Sequence, residues 1–123
     1  MNINAETLTV NGIEYVKKDA VQNIAESMDG MEYKIFRTYS AGVFAGYQKT
    51  RNGQEAVVLK ARRLWRWAGA ASLSQLATDG TANPDECKFP CEVSKIELTQ
   101  VVEVLEVTEK AKKSIAAVPV WQM

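Results

Sequence analysis

The chain has 123 residues, 46% apolar and 24% charged, and its fifteen basic side chains are cancelled by fifteen acidic ones. Such a length suits one folded domain, the composition argues against disorder, and a neutral total argues against a general polyanion binder. Histidine is absent, which removes the usual general base near neutral pH and with it Ser-His-Asp and Cys-His nucleophile arrangements.

Residues 8–16 hold two short β-type runs joined by Asn11-Gly12, a dipeptide that tolerates positive φ at both turn positions, and so predict a tight hairpin. Val21, Ile24, Ala25 and Met28 then recur at helical spacing and predict a helix over 18–28, stopped by Asp29-Gly30. A hairpin and a three-turn helix are marginal alone, so the arm 1–32 is a candidate oligomerisation element. Residues 1–33 carry two basic and six acidic groups, a net of minus four.

The main α+β domain is placed at 33–123. Tyr33, Ile35, Arg37 and Tyr39 alternate with Lys34, Phe36, Thr38 and Ser40, and Ala41-Gly42 permits a bend or bulge. Residues 43–49 continue as strand, Arg51-Asn52-Gly53 forms a second turn, and 55–67 returns, giving an antiparallel meander. In that returning strand the odd positions Val57, Leu59, Ala61, Trp65 and Trp67 are apolar, with Arg63 intruding. The even positions Lys60, Arg62 and Arg66 are basic. Period-two alternation therefore predicts one inward face and one cationic strip.

Ser72-Leu73-Ser74-Gln75 matches a capping box, with Leu73, Leu76 and Ala77 on the buried side of a short helix that Gly80 closes. Cys87 and Cys91 follow in and beside a polar loop. Two thiols without histidine fall short of the four ligands zinc needs, and a reducing compartment argues against a disulfide, so free thiols are expected. Residues 93–107 are β-rich, Thr108 is an N-cap for a last helix over 109–117, and the apolar tail 118–121 requires Trp121 to tuck against the body. The expected fold class is α+β: a mostly antiparallel sheet, meander or partly closed barrel, with two or three short helices and an N-terminal hairpin-helix arm.

Function is sought in the charge distribution. Residues 34–66 hold Lys34, Arg37, Lys49, Arg51, Lys60, Arg62, Arg63 and Arg66 against Glu55 alone, a net of plus seven in a neutral chain. In 61–67 three guanidinium forks alternate with two indoles. Guanidinium binds phosphate bidentately and stacks on rings, so the pattern suits a small anionic nucleotide-like ligand. Arg37, Arg62, Arg63 and Arg66 are candidates for phosphates, Tyr39, Phe44 and Trp65 for the base, and Ser40, Ser72, Ser74 and Gln75 for hydroxyl and helix-start amide contacts. Three plainer readings stand beside this one: a solvated strand face, two core indoles, and a simple bulge at Gly42 and Gly46.

No catalytic residue, metal or cofactor is expected. Phosphoester cleavage would need a metal held by acids such as Asp79, Asp85 and Glu86. A long nucleic acid is disfavoured because acidic flanks repel it more than a compact anion. No apolar run reaches the roughly 18 to 20 residues that span a bilayer, and the first residues lack a signal-peptide layout, so a cytoplasmic protein is expected.

The segments Arg37 to Val43, Ala61 to Ala77, Lys88-Phe89, Thr108-Glu109 and Ser114 to Trp121 resemble a family of small tailed-phage and prophage proteins, a domain of unknown function. The resemblance covers roughly 35–121 and implies action in the cytoplasm of an infected bacterium. By analogy with phage sponges that capture cyclic nucleotide alarm signals, it also implies an oligomeric, non-enzymatic anti-defence protein. The sequence thus carries two expectations. One is a binding protein that sequesters a small phosphorylated nucleotide signal of host defence. The other is an interaction module that inhibits an acidic host protein through the basic strip.

Overall fold

The computed structural model describes residues 24–122. Three strands, Tyr33–Thr38 (β1), Val43–Asn52 (β2) and Glu55–Arg63 (β3), form the expected meander. Glu92–Leu98 (β4) and Val101–Glu106 (β5) complete an antiparallel sheet in the order β4-β3-β2-β1-β5. Thr99 and Gln100 alone join β4 to β5, yet these strands lie at opposite edges. Three peptide steps reach about 10 Å at most, so the sheet has to curl until its edges converge. One backbone bond records the convergence: Val101 N–H, at the start of β5, donates to the carbonyl of Gln54 in the β2–β3 turn at 2.9 Å. The edges do not pair, so the sheet is curled and unclosed.

Period-two alternation holds through β1 and breaks in β3. Ala45 pairs with Arg62 and Tyr47 with Leu59, so Gly46 faces two residues, Lys60 and Ala61. This is a β-bulge, and Lys60 occupies the left-handed region with φ 51°. Gly46 is required there, because a Cβ would lie 2.6 Å from Val58 Cγ1 and 2.9 Å from the Leu59 carbonyl oxygen. The extra residue reverses the faces. Before it, Ala56 and Val58 point to the concave side; after it, Ala61 does so, and Arg62 and Leu64 turn to the helix side.

Two cores result. Phe36, Phe44, Ala56, Val58, Ala61, Leu98 and Val101 fill the concave side with no helical residue among them. The other side is covered by Leu73–Asp79 (α1) and Glu109–Ala117 (α2), whose Leu76, Ala77, Ala111 and Ile115 meet Ile35, Ala45, Leu64, Phe89 and Val107. Both helix starts match their sequence signals. Ser72 Oγ accepts from Gln75 N–H at 3.1 Å, and Thr108 Oγ1 accepts from Ala111 N–H at 3.0 Å. Gln75 Oε1 reaches back to Ala71 N–H at 2.7 Å, one residue beyond the amide a standard capping box would engage.

The hairpin expected over 8–16 and the first part of the helix expected over 18–28 lie outside the described residues. The remainder, from Ile24 to Met28, is not helical: Ala25 is buried and its N–H pairs with the Val107 carbonyl at 2.9 Å, which binds the segment as extended chain. Docking on the link between β5 and α2 overrides the local periodicity. Besides α1 and α2 the described residues contain only a three-residue 3₁₀ turn, Pro84–Glu86. The strand expected to run to Trp67 stops at Arg63, beyond which Arg66 and Lys88 form an isolated bridge. Cys87 is buried, Cys91 is exposed, and both thiols are free. Gly46→Ala is expected to cost about 1–3 kcal/mol through overpacking at the bulge, measured as a lower midpoint in urea at unchanged slope.

Candidate functional site

Arg62 is the residue whose position departs furthest from the cationic strip. The bulge buries it, at 8% exposure, and every guanidinium nitrogen donates to main-chain carbonyls. Nε reaches Pro90 at 2.9 Å and Nη1 reaches Ile115 at 2.9 Å, while Nη2 meets Phe89 at 3.1 Å, Val118 at 2.8 Å and Pro119 at 3.2 Å. Ile115 and Val118 belong to the C-terminal end of α2, where unpaired carbonyls concentrate partial negative charge. Burial, before any nearby charge, pushes the guanidinium pKa down from its ordinary value. Arg62 is thus a clamp between β3, the segment before β4 and the C-terminal tail, and its donors are spent on the fold.

The other expected residues scatter. Arg37 lies across from Glu103 on β5 and pairs with it, Nε to Oε1 at 2.8 Å. Phe44 is 2% exposed in the concave core, with the Arg63 guanidinium carbon 4.6 Å from its ring centroid, so its ring is a support for Arg63. Ser72 and Gln75 are engaged in capping, and neither they nor Ser74 join the remaining candidates. Arg66 is exposed, with its backbone bridged to Lys88.

Three expected residues do converge. A cleft of about 310 Å³ between the β1–β2 loop and the segment after β3 is lined by Ser40, Arg63 and Trp65, together with Gly42, Val43 and Trp67. Gly42 has φ 101°, a conformation that only glycine adopts without strain, and it lets the loop turn beside the cleft. The Thr38 hydroxyl ties the same loop by donating to the Gly42 carbonyl at 2.7 Å. Tyr39, 79% exposed, stands next to this rim. The two indoles differ: Trp67 packs partly on the helix-side core, whereas Trp65 is 55% exposed.

Two members of this surface escaped the sequence reading as site residues, Trp121 and Lys88. Trp121 stacks on Trp65 with centroids 4.9 Å apart and planes 16° from parallel, and its N–H donates to the Phe89 carbonyl at 3.0 Å. Lys88 Nζ lies 5.9 Å from the Trp65 ring and 5.6 Å from the Trp121 ring. Neither Arg63 nor Lys88 is in an ion pair among the described residues. The tail's single tryptophan was the available signal, and its partner could not be read without the fold. Asp79, Asp85 and Glu86 form no metal site: among the described residues no three His, Cys, Asp or Glu side chains gather for one.

A family model described as a domain of unknown function, DUF6948, matches residues 31–115, or 85 of the 123 residues. The chain belongs to the DUF6948 family. No curated protein and no solved structure matches it. The DUF6948 segment contains all five strands, α1, Arg62, Arg63 and Trp65, while Trp121 and two of the carbonyls that Arg62 holds lie beyond it. Arg62→Ala is expected to destabilise this DUF6948 protein by about 3 kcal/mol or more, since buried carbonyls lose their donors. Arg62→Lys should rescue only part of the loss, an ammonium having three donors for five acceptors; thermal denaturation of both variants measures it.

Proposed function

We propose that this DUF6948 protein is a non-enzymatic binding protein that sequesters a small phosphorylated nucleotide signal, with the base against Trp65 and a phosphate on Arg63. The observation that carries the reading is the half-exposed Trp65–Trp121 stack beside a guanidinium that pairs with no carboxylate among the described residues. A large indole left in water, held in orientation by a second indole, offers a preformed platform for a flat base. Arg63, held over Phe44, lines the same cleft as Trp65, so a ligand stacked there can meet the guanidinium. Ser40 adds a hydroxyl, which at present donates to Gln100 Oε1 at 3.0 Å.

The resemblance of residues 37–43 and 61–77 to phage and prophage proteins supports an infected bacterial cytoplasm as the setting and host defence as the source of the signal. Among the described residues no helix is long and apolar enough to cross a membrane. Inhibition of an acidic host protein through the basic strip draws less support, because the bulge withdraws Arg62 and Glu103 neutralises Arg37.

Tryptophan fluorescence titration with a panel of cyclic mono- and dinucleotides tests the reading. Trp65→Ala is expected to weaken binding by about five- to a hundredfold, the value of one stacked base. Arg63→Ala should weaken it comparably, and Arg66→Ala, which is not on the cleft wall, should leave it unchanged. Equal affinity for the parent protein and the W65A and R63A variants would discard the cleft as the site.

A further inference from the structure

A second cavity, of about 550 Å³, shares no lining residue with the cleft. It lies on the helix side of the sheet, bounded by β3, the start of β4, α2 and the tail, and its wall holds Lys60, Arg62 and Lys112 against one carboxylate, Glu92. Lys60 is the bulge residue, so its ammonium is placed by the same kink that buries Arg62. Lys112 projects from α2 with Nζ 5.2 Å from the Tyr47 ring centroid and 5.7 Å from that of Tyr33. Its hydrogen bond among the described residues is a long one, 3.5 Å to the Glu26 carbonyl, and neither lysine is in an ion pair there.

Tyr33 and Tyr47 make the cavity more than a charged hollow. They are 9% and 8% exposed and meet edge to face, with centroids 5.1 Å apart. Neither hydroxyl finds a hydrogen-bond partner among the described residues, an omission that costs about 1–3 kcal/mol for a buried polar group. Burial, and then the neighbouring Tyr47, hold the Tyr33 pKa well above the ordinary tyrosine value, so at neutral pH it is a hydrogen-bond donor. Two protonated tyrosines and two lysines therefore line a space with a single carboxylate. Complementarity calls for a guest with acceptor oxygens and negative charge. The volume lies within the roughly 300–1,000 Å³ of organic-ligand pockets, and Ala116, Val118 and Val120 supply an apolar wall.

We propose that this cavity is a second binding site, for a small organic oxyanion whose phosphate or carboxylate oxygens are held by Lys60, Lys112 and the Tyr33 and Tyr47 hydroxyls. Arg62 contributes its charge and not its donors, which remain on the carbonyls.

The test uses the full chain with phenyl phosphate, benzoate and phenol, followed by calorimetry and by NMR of carbon-labelled tyrosine rings. At least one of the two anions is expected to bind and to shift the Tyr33 and Tyr47 signals, phenol to do neither, and the stronger anion to identify the headgroup as phosphate or carboxylate. Lys60→Gly removes the ammonium while suiting the left-handed backbone, and Lys112→Gln keeps the helix. Each should weaken the bound anion by about tenfold, as expected on losing a charge-assisted hydrogen bond. Tyr47→Phe should weaken it too while leaving the melting temperature unchanged or higher, because it removes a buried hydroxyl that has no hydrogen-bond partner among the described residues. Trp65→Ala should leave anion binding intact, which separates this site from the cleft. The proposal is overturned if neither anion moves the tyrosine signals, if the K60G/K112Q double variant binds like the parent, or if Y47F lowers the melting temperature.

Discussion

Where β2 passes β3, Gly46 lies against Lys60 and Ala61 with no room for a side chain, and this contact decides which way the rest of β3 points. A strand without the bulge would continue its parity, carrying Arg62 to the concave side and Ala61 to the helices. The extra residue instead hands the helix side a guanidinium and the concave side a methyl. Lys60 in the left-handed region costs about 1–2 kcal/mol for a residue with a Cβ. That strain persists because the flanking ladders, Tyr47 with Leu59 and Ala45 with Arg62, leave no other path.

Arg62 then solves a problem that the topology creates. The segment before β4, the end of α2 and the tail all turn near one point, where the Pro90, Val118 and Pro119 carbonyls have no backbone donor among the described residues and the Ile115 and Phe89 carbonyls have one each. A planar fork with donors on three nitrogens can satisfy several of them at once, and the negative end of α2 together with Glu92, its cross-strand neighbour on β4, compensates its charge. Basic residues in β3 therefore divide by parity into an interior clamp and exposed groups such as Arg63. Charge counting along the sequence cannot make that division.

What was legible follows the range of the signal. Both N-caps, the Gly80 stop and the β1–β2–β3 meander are local signals that the structure matches, as it does the sheet-dominated α+β class, although the second turn sits at Gly53-Gln54, after Arg51 and Asn52 have closed β2. A bulge at Gly46 is among the sequence expectations, but its extra residue lies on the opposing strand at Lys60, which the sequence does not mark. Ile24 to Met28 has helical spacing, but its backbone pairs with Val107 and Thr108 between β5 and α2, a long-range choice that periodicity does not encode. Of the candidate site, Ser40, Arg63 and Trp65 come together as the sequence pattern suggested. Arg37, Phe44, Arg62 and the helix start do not, since cross-strand pairing, burial and capping claim them first.

The Arg62 clamp also has a bearing on the order in which the chain can fold. Its acceptors at Ile115, Val118 and Pro119 lie 53 to 57 positions downstream, so during synthesis the guanidinium must wait in water until that stretch has emerged. Contacts of such long separation close late, after the local hairpins. The clamp is therefore among the last contacts that synthesis permits, and a chain halted before Ile115 leaves the guanidinium without three of its five acceptors.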